Sequence, residues 1–491
     1  MFVKWNRLLL LLMVISIGCV SCKQKEEQKS LLLYCAAGMK PVVEKVTKQY
    51  YQEYGIRIDV QYGGSGTLLS NLRVARHGDL YLAADKSYIN EAISFGLVKE
   101  TQSLAFIQPV IAVAKGNPKK VHNIEDLCQD TIKVAIANPD AASIGRLTKK
   151  MLTESNHWNA LSNNVSVLMP TVNEVANTIK LGTTDAGIIW DVTASQYDDI
   201  DIVNVPLFKN YIKNITIGVL NYSTQATEAL KFIRYISAKD KGLPVFKKFA
   251  YQPIVGDVWS EKPKLLFYSG GVNRLAIDKT IQAFEKREGV EVNRVYNGCG
   301  ILVSQIKAGQ QPDAYLSCDV SFMTQVEDEF NTITDISKTS IVIAVEKGNP
   351  KKIQSLNDLT ANGLQLGICN HNQSALGALT KRLLESQNIW EAVYKNVRSQ
   401  TPTADLLVNQ IRTGSLDAVV VYEANIAQVK DKLDMIRLSE DQANAIQNFG
   451  ISTNSENQNI MKRLLKALTD ENSKKKYLDN GFEWKYSKTE K

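Results

Sequence analysis

From Leu31 the chain runs through a continuous apolar stretch, LLLYCAA, which predicts a buried strand. In the segment that follows, MKPVVEKVTKQYYQEYG, the residues Val42, Val46, Tyr50 and Tyr54 recur every four positions and Gly55 comes next, the pattern of an amphipathic helix with a stop signal. IRIDVQY then alternates with period two, as a half-buried strand does, and leads into the glycines and serine of YGGSGTLLSNL. Leu68, Leu69 and Leu72 predict a second helix directly after them. Strand, helix, strand, helix is a βαβ series, and it implies an α/β fold with a mostly parallel sheet flanked by helices. On such sheets ligands bind at the carboxyl ends of the strands.

The whole pattern occurs twice. LLLYCAAG is answered by KLLFYSGG, VQYGGSGTLLSNL by NRVYNGCGILVSQI, GDLYLAAD by PDAYLSCD, VIAVAKGNPKK by IVIAVEKGNPKK, and LGTTDAGIIWD by RTGSLDAVVVYE. Order is kept throughout, at separations of 232 to 234 residues. The chain therefore reads as two diverged copies, residues 31–259 and 264–491, joined by a linker at 260–263, and each copy is long enough to bury its own core.

The glycine stretch has a physical use. A Gly-rich turn at a strand end, opening onto a helix, lets backbone N–H groups converge on an anion, and Ser65 adds a hydroxyl beside the positive helix end. A tight turn with no ligand would use the same glycines. The stretch matches neither a nucleotide P-loop nor a dinucleotide-binding fingerprint, so kinase and dehydrogenase activities lose support.

The amino terminus bears on location. Lys4 and Arg7 precede LLLLLMVISIG, which is too short to span a membrane and suits an export signal. CVSCKQKEEQKS follows, and the segment resembles a bacterial lipoprotein signal. Residues 1–22 are expected to be that signal and 23–30 a tether, with Cys22 (or Cys19) lipidated, which would hold an exported protein on a membrane facing the periplasm or cell exterior.

The order YCAAG, GGSGT, GDLYLAAD, VIAVAKGNP, NPDAASIGRLTKKML and DAGIIW resembles the periplasmic molybdate-binding proteins of ABC transporters over nearly all of each copy. The resemblance implies two tandem bilobal type II periplasmic-binding-protein units. It also implies an interlobe cleft that closes around a tetrahedral oxyanion held by neutral donors. Molybdate or tungstate would be the solute, and an ABC permease with its ATPase the partners. Carried over position by position, the first ligand serine falls on Gly38 and Val272, and the second on Ser65, with Gly66 beside it, and on Cys299. The main-chain donors fall on Ile144 and Leu376 and near Val175 and Leu407, and the ligand tyrosine falls on Trp190 and Tyr422. The first copy thus keeps the serine and the second the tyrosine.

Cysteine usage separates the copies further. Cys299, Cys318 and Cys369 stand where the first copy has Ser65, Ala84 and Ala137, all at strand ends, and His371 follows closely. Three sulfurs and an imidazole could form a soft-metal site for copper(I) or zinc. A disulfide or buried apolar thiols are the plainer alternatives.

Composition narrows the remaining classes. With 44% hydrophobic residues and a net charge of +7 spread over 58 basic and 51 acidic side chains, the protein is globular with a solvated surface, and nucleic acid is not an expected partner. No nucleophile elbow or triad context occurs, so no enzyme activity and no cofactor are expected. The alternative to transport is an envelope-displayed sensory or interaction protein with degenerate binding units.

Overall fold

The structure is a computed structural model that describes residues 30–438 and 443–487. The expected signal, lipidation sites and most of the tether lie outside the described residues. The chain divides into two compact units, one formed by residues up to Gln225 together with Pro244–Ile254, the other by Ala226–Leu243 together with residues from Val255 onward.

In the first unit the apolar run forms β1 (Ser30–Ala36) and the alternating segment forms β2 (Arg57–Gly63), paired in parallel. The helix between them, Lys40–Tyr54, buries Val42, Val46 and Tyr50 and ends on Gly55 at φ 67°, a left-handed cap whose N–H donates to Tyr51 O at 2.8 Å. With β3 (Leu80–Ala83), β4 (Val98–Ile107), β10 (Lys213–Leu220) and β11 (Gln252–Pro253) these strands make a six-stranded sheet in the order β11-β4-β10-β3-β1-β2. A second sheet, β7-β6-β8-β5-β9, is built from β5 (Pro109–Ala114), β6 (Val134–Ala137), β7 (Val165–Met169), β8 (Ala186–Trp190) and β9 (Ile200–Val203). The unit is thus bilobal. Each sheet has a parallel centre, β2-β1-β3 or β7-β6-β8, and antiparallel neighbours, because the segments that cross between lobes return in the opposite sense.

The second unit repeats this with β12 (Lys264–Gly270), β13 (Glu291–Asn297), β14 (Ala314–Leu316), β15 (Phe330–Glu346), β16 (Leu366–Cys369), β17 (Val397–Thr401), β18 (Ala418–Tyr422), β19 (Leu433–Arg437), β20 (Asn444–Ser452) and β21 (Glu483–Trp484). Here one strand, β15, serves both lobes: its first part pairs with β20 and Ile341–Val345 pair with β18. The first unit breaks the same strand at Gln108 before Pro109, which has no N–H to carry a ladder onward, whereas the second has Ile341 there.

The second unit also includes the helix Ala226–Ile236, although by sequence order that helix closes the first copy. Its Arg234 lies 3.6 Å from the Glu288 carboxylate, which Arg463 meets with Nε at 2.7 Å and with Nη2 at 3.1 Å. All three side chains are buried. Asp257 accepts from the N–H groups of Asn459 and Ile460 at 2.9 and 3.1 Å and so fixes the start of the helix Gln458–Leu468 beside them.

Candidate functional site

Three helices of the first unit begin at one place. Ser65–Ala75 follows β2 in one lobe, while Ser143–Glu154 and Val172–Lys180 follow β6 and β7 in the other. Their first turns meet across the interlobe cleft, in a small cavity lined by Ala36 to Gly38, Gly63 to Ser65, Ala84, Ala142 to Ile144, Thr171, Val172 and Trp190. No lining side chain is ionisable. The positive ends of three helices therefore face a cleft with neutral walls.

The lobes touch through main chain. Gly66 and Thr67 N–H both donate to Ala141 O, at 2.9 and 3.2 Å. Such approach requires glycine: a Cβ on Gly64 would overlap the Ala141 carbonyl, and one on Gly66 would come within 2.7 Å of Asp140 O. Asn138 shapes the facing loop, its carbonyl accepting from Ala141 and Ala142 N–H and its Oδ1 from Asp140 N–H. Ser65 is buried, with its carbonyl accepting from Tyr81 Oη at 2.8 Å and its hydroxyl 3.4 Å from Ala84 N.

The second unit places the starts of the helices Cys299–Lys307, Ala375–Ser386 and Ala404–Arg412 around a similarly small cavity. Val272, Cys318, Ser374, Leu376, Thr403, Asp405 and Tyr422 are among its lining residues. Gly300 N–H donates to Gln373 O at 3.1 Å, the counterpart of the Gly66 contact. The chemistry differs, however. Asp405 stands where the first copy has Asn173, and burial raises its carboxyl above the ordinary carboxylate value. The Tyr422 hydroxyl is buried with no hydrogen-bond partner among the described residues.

Of the residues singled out in the sequence, Gly38, Ser65, Ile144 and Trp190 line the first cavity, and Val272, Leu376 and Tyr422 the second. Gly66 lies at the closing contact, and Cys299 lies buried beneath the second cavity beside Cys318. Val175 and Leu407 face the lobe interiors instead, against Gly187 and Gly367. The cleft positions at their helix starts are Thr171 with Val172, and Thr403 to Asp405. Ser143 and Ser374, which sequence reasoning passed over, add hydroxyl groups to the two cavities; their place beside NPDAASIG and its counterpart NHNQSALG was the available signal.

The cysteines of the second unit come together only in part. Cys299 Sγ and Cys318 Sγ lie 2.6 Å apart, and Cys318 N–H donates to Cys299 Sγ at 3.0 Å. Cys369 Sγ is 3.9 Å from Thr401 Oγ1, and burial pushes its thiol up to about 12. His371 faces a separate groove and packs edge-on against Trp390. Among the described residues no group of three or more His, Cys, Asp or Glu side chains is arranged to hold a metal ion.

Comparison with known proteins gives one family twice. The sequence model described as "Bacterial extracellular solute-binding protein" matches residues 31–252 and again 265–483. A Haemophilus influenzae protein, named only as a binding protein, is 27% identical over 45% of this chain and 91% of its own length. The molybdate-binding protein of Mycobacterium tuberculosis is 30% identical over 31% of this chain and 58% of its own length. Among solved structures, the Azotobacter vinelandii periplasmic molybdate-binding protein aligns at 14% identity and a TM-score of 0.39, covering 45% of this chain and 98% of that one.

Proposed function

The chain belongs to the bacterial extracellular solute-binding protein family, in two tandem copies, and from that premise we propose that its first unit captures a tetrahedral oxyanion, molybdate or tungstate, for delivery to an ABC transporter. The observation that carries this reading is the convergence of three helix starts on a small cleft with no ionisable side chain. A fully ionised dianion is stabilised there by helix ends and by N–H and O–H donors, each hydrogen bond to a charged group contributing about 1.5–3 kcal/mol. Closure of the lobes excludes water and strengthens those bonds. Ser65 and Ser143 hydroxyls and the N–H groups at the three helix starts are the proposed donors, with Trp190 as a wall. A lipid on Cys22 (or Cys19) would keep the exported protein at the membrane that holds the permease.

The second unit is the weaker oxyanion site in this reading. Asp405 in its cleft opposes a dianion, and Cys299 replaces the serine. Calorimetric titration of the mature chain with molybdate, tungstate, sulfate and phosphate tests the proposal. Tight heat from molybdate or tungstate, weakened in Ser65→Ala, is the expected result; no heat from any of the four would reject it.

A further inference from the structure

Three positions at the floor of the cleft change together between the copies. Ala36, Ser65 and Ala84 of the first copy become Gly270, Cys299 and Cys318 in the second. A Cβ on Gly270 would overlap the Cys318 sulfur and come within 3.0 Å of the Cys299 sulfur, so the loss of the alanine methyl makes room for two sulfurs in contact. They stand 2.6 Å apart, well inside the spacing of about 3.8 Å that two thiolates take on a tetrahedral zinc ion with bonds near 2.3 Å. Cys318 is at the cleft surface and Cys299 is fully buried behind it. The family is extracellular, and disulfides form and persist in oxidising compartments.

We propose that Cys299 and Cys318 are a redox pair: oxidation in the exported protein joins them in a disulfide beneath the second cleft, and reduction restores a dithiol there. The oxidant is a small-molecule or protein disulfide. Cys318 Sγ, which is largely buried but lines the cleft, attacks it as the thiolate, forming a mixed disulfide and releasing one thiol that carries away the Cys318 proton. Cys299 Sγ then attacks the Cys318 sulfur, forming the internal S–S bond and expelling the second thiolate, which takes up the Cys299 proton. Two protein thiols and one external disulfide thus become one protein disulfide and two external thiols. The surroundings suit Cys299 to the second step. Its sulfur already lies 2.6 Å from the sulfur it attacks, and the Cys318 N–H, which donates to it at 3.0 Å and remains in place in the mixed disulfide, favours its thiolate. The bond would tie the start of the helix Cys299–Lys307 to the end of β14 within one lobe, so it alters the cleft floor without locking the lobes together.

The proposal does not depend on which solute is bound, and its test reads the sulfurs directly. The full mature chain is incubated with oxidised glutathione, unfolded in iodoacetamide without reductant, and mapped by mass spectrometry. The expected result is a linked pair of peptides containing Cys299 and Cys318, with two fewer alkylated thiols than in the dithiothreitol-treated chain, while Cys35 and Cys369 are alkylated in both. The oxidised chain should also melt at higher temperature than the reduced chain. That difference should vanish in the C299S/C318A double variant, which restores the residues of the first copy. Full alkylation of Cys299 and Cys318 after oxidation, or a linkage made to Cys369, would overturn the proposal. Molybdate titration of the same samples is read separately: silence there would reject the oxyanion reading and leave the disulfide result standing.

Discussion

Gly66 and Ala141 are joined across the first cleft by a single main-chain hydrogen bond of 2.9 Å, from the N–H at the start of one lobe's helix to a loop carbonyl of the other. The closed form therefore depends on backbone approaching backbone, which only glycine at positions 64 and 66 allows.

Gly64→Ala should hold the first unit open. The added methyl meets the Ala141 carbonyl and comes within 3.0 Å of Pro170 O, both in the opposite lobe, so each lobe should still fold. Overpacking of this kind costs typically 1–3 kcal/mol, which predicts oxyanion affinity lower by roughly 5- to 150-fold. Calorimetry measures the loss, and circular dichroism should show an unchanged fold.

Arg146→Ala should loosen the same closure by a smaller amount. Arg146, on a helix of one lobe, places its guanidinium 3.5 Å from the Tyr88 ring centroid and 3.1 Å from the Glu91 carboxylate, both on a helix of the other lobe. The ion pair is largely solvated and contributes little, so the cation–π contact dominates, at about 0.5–1 kcal/mol. Dissociation of the bound anion from the first unit should quicken by roughly two- to five-fold. The second unit has Ala378, Phe322 and Gln325 at these positions and no such latch, so a change there of equal size would contradict this assignment.

Asp405 gives the second cleft a pH dependence. Burial raises its carboxyl, against the hydrogen bond from Asn425 and the charge of Arg274. In the window between the ordinary carboxylate value and the raised one, the folded chain binds more protons than the unfolded chain, so this group's effect on stability becomes less favourable as pH rises through it. An anion in the cleft favours the protonated form further. Oxyanion binding at the second unit should strengthen as pH falls through that window, and Asp405→Asn should remove the dependence and strengthen binding at neutral pH. Titrations across mildly acidic pH check both.

Glu288→Gln should destabilise the second unit by about 3–5 kcal/mol, because two buried guanidinium groups lose their shared carboxylate. Chemical denaturation should show the second unit's transition moving to lower denaturant while the first unit's stays in place.

Much of this fold is written in local pattern. The run at Leu31, the stop at Gly55 and the glycines before Leu68 all become the elements their periodicity predicts. The strand β15 shows what a local reading passes over: Pro109 against Ile341 decides whether the crossover breaks, yet both segments read alike as apolar runs. The allegiance of Ala226–Ile236 was not legible, since it rests on Arg234 meeting the Glu288 carboxylate that Arg463 also pairs with, both far along the chain. At the cleft, Ser65 stood out because it sits in a Gly-rich turn between a recognisable strand and helix, and Trp190 because the family resemblance places a ligand position on it. Ser143, Thr171 and Asp405 did not, because their role depends on three helix starts meeting, which topology decides rather than spacing.

The most direct test is a crystal structure of the mature chain grown with molybdate, with anomalous data collected at the molybdenum edge. The account predicts a molybdenum peak in the first cleft, within hydrogen-bond reach of the Ser65 and Ser143 hydroxyls. A first cleft closed and without the peak, or a peak held by charged side chains elsewhere, would contradict it.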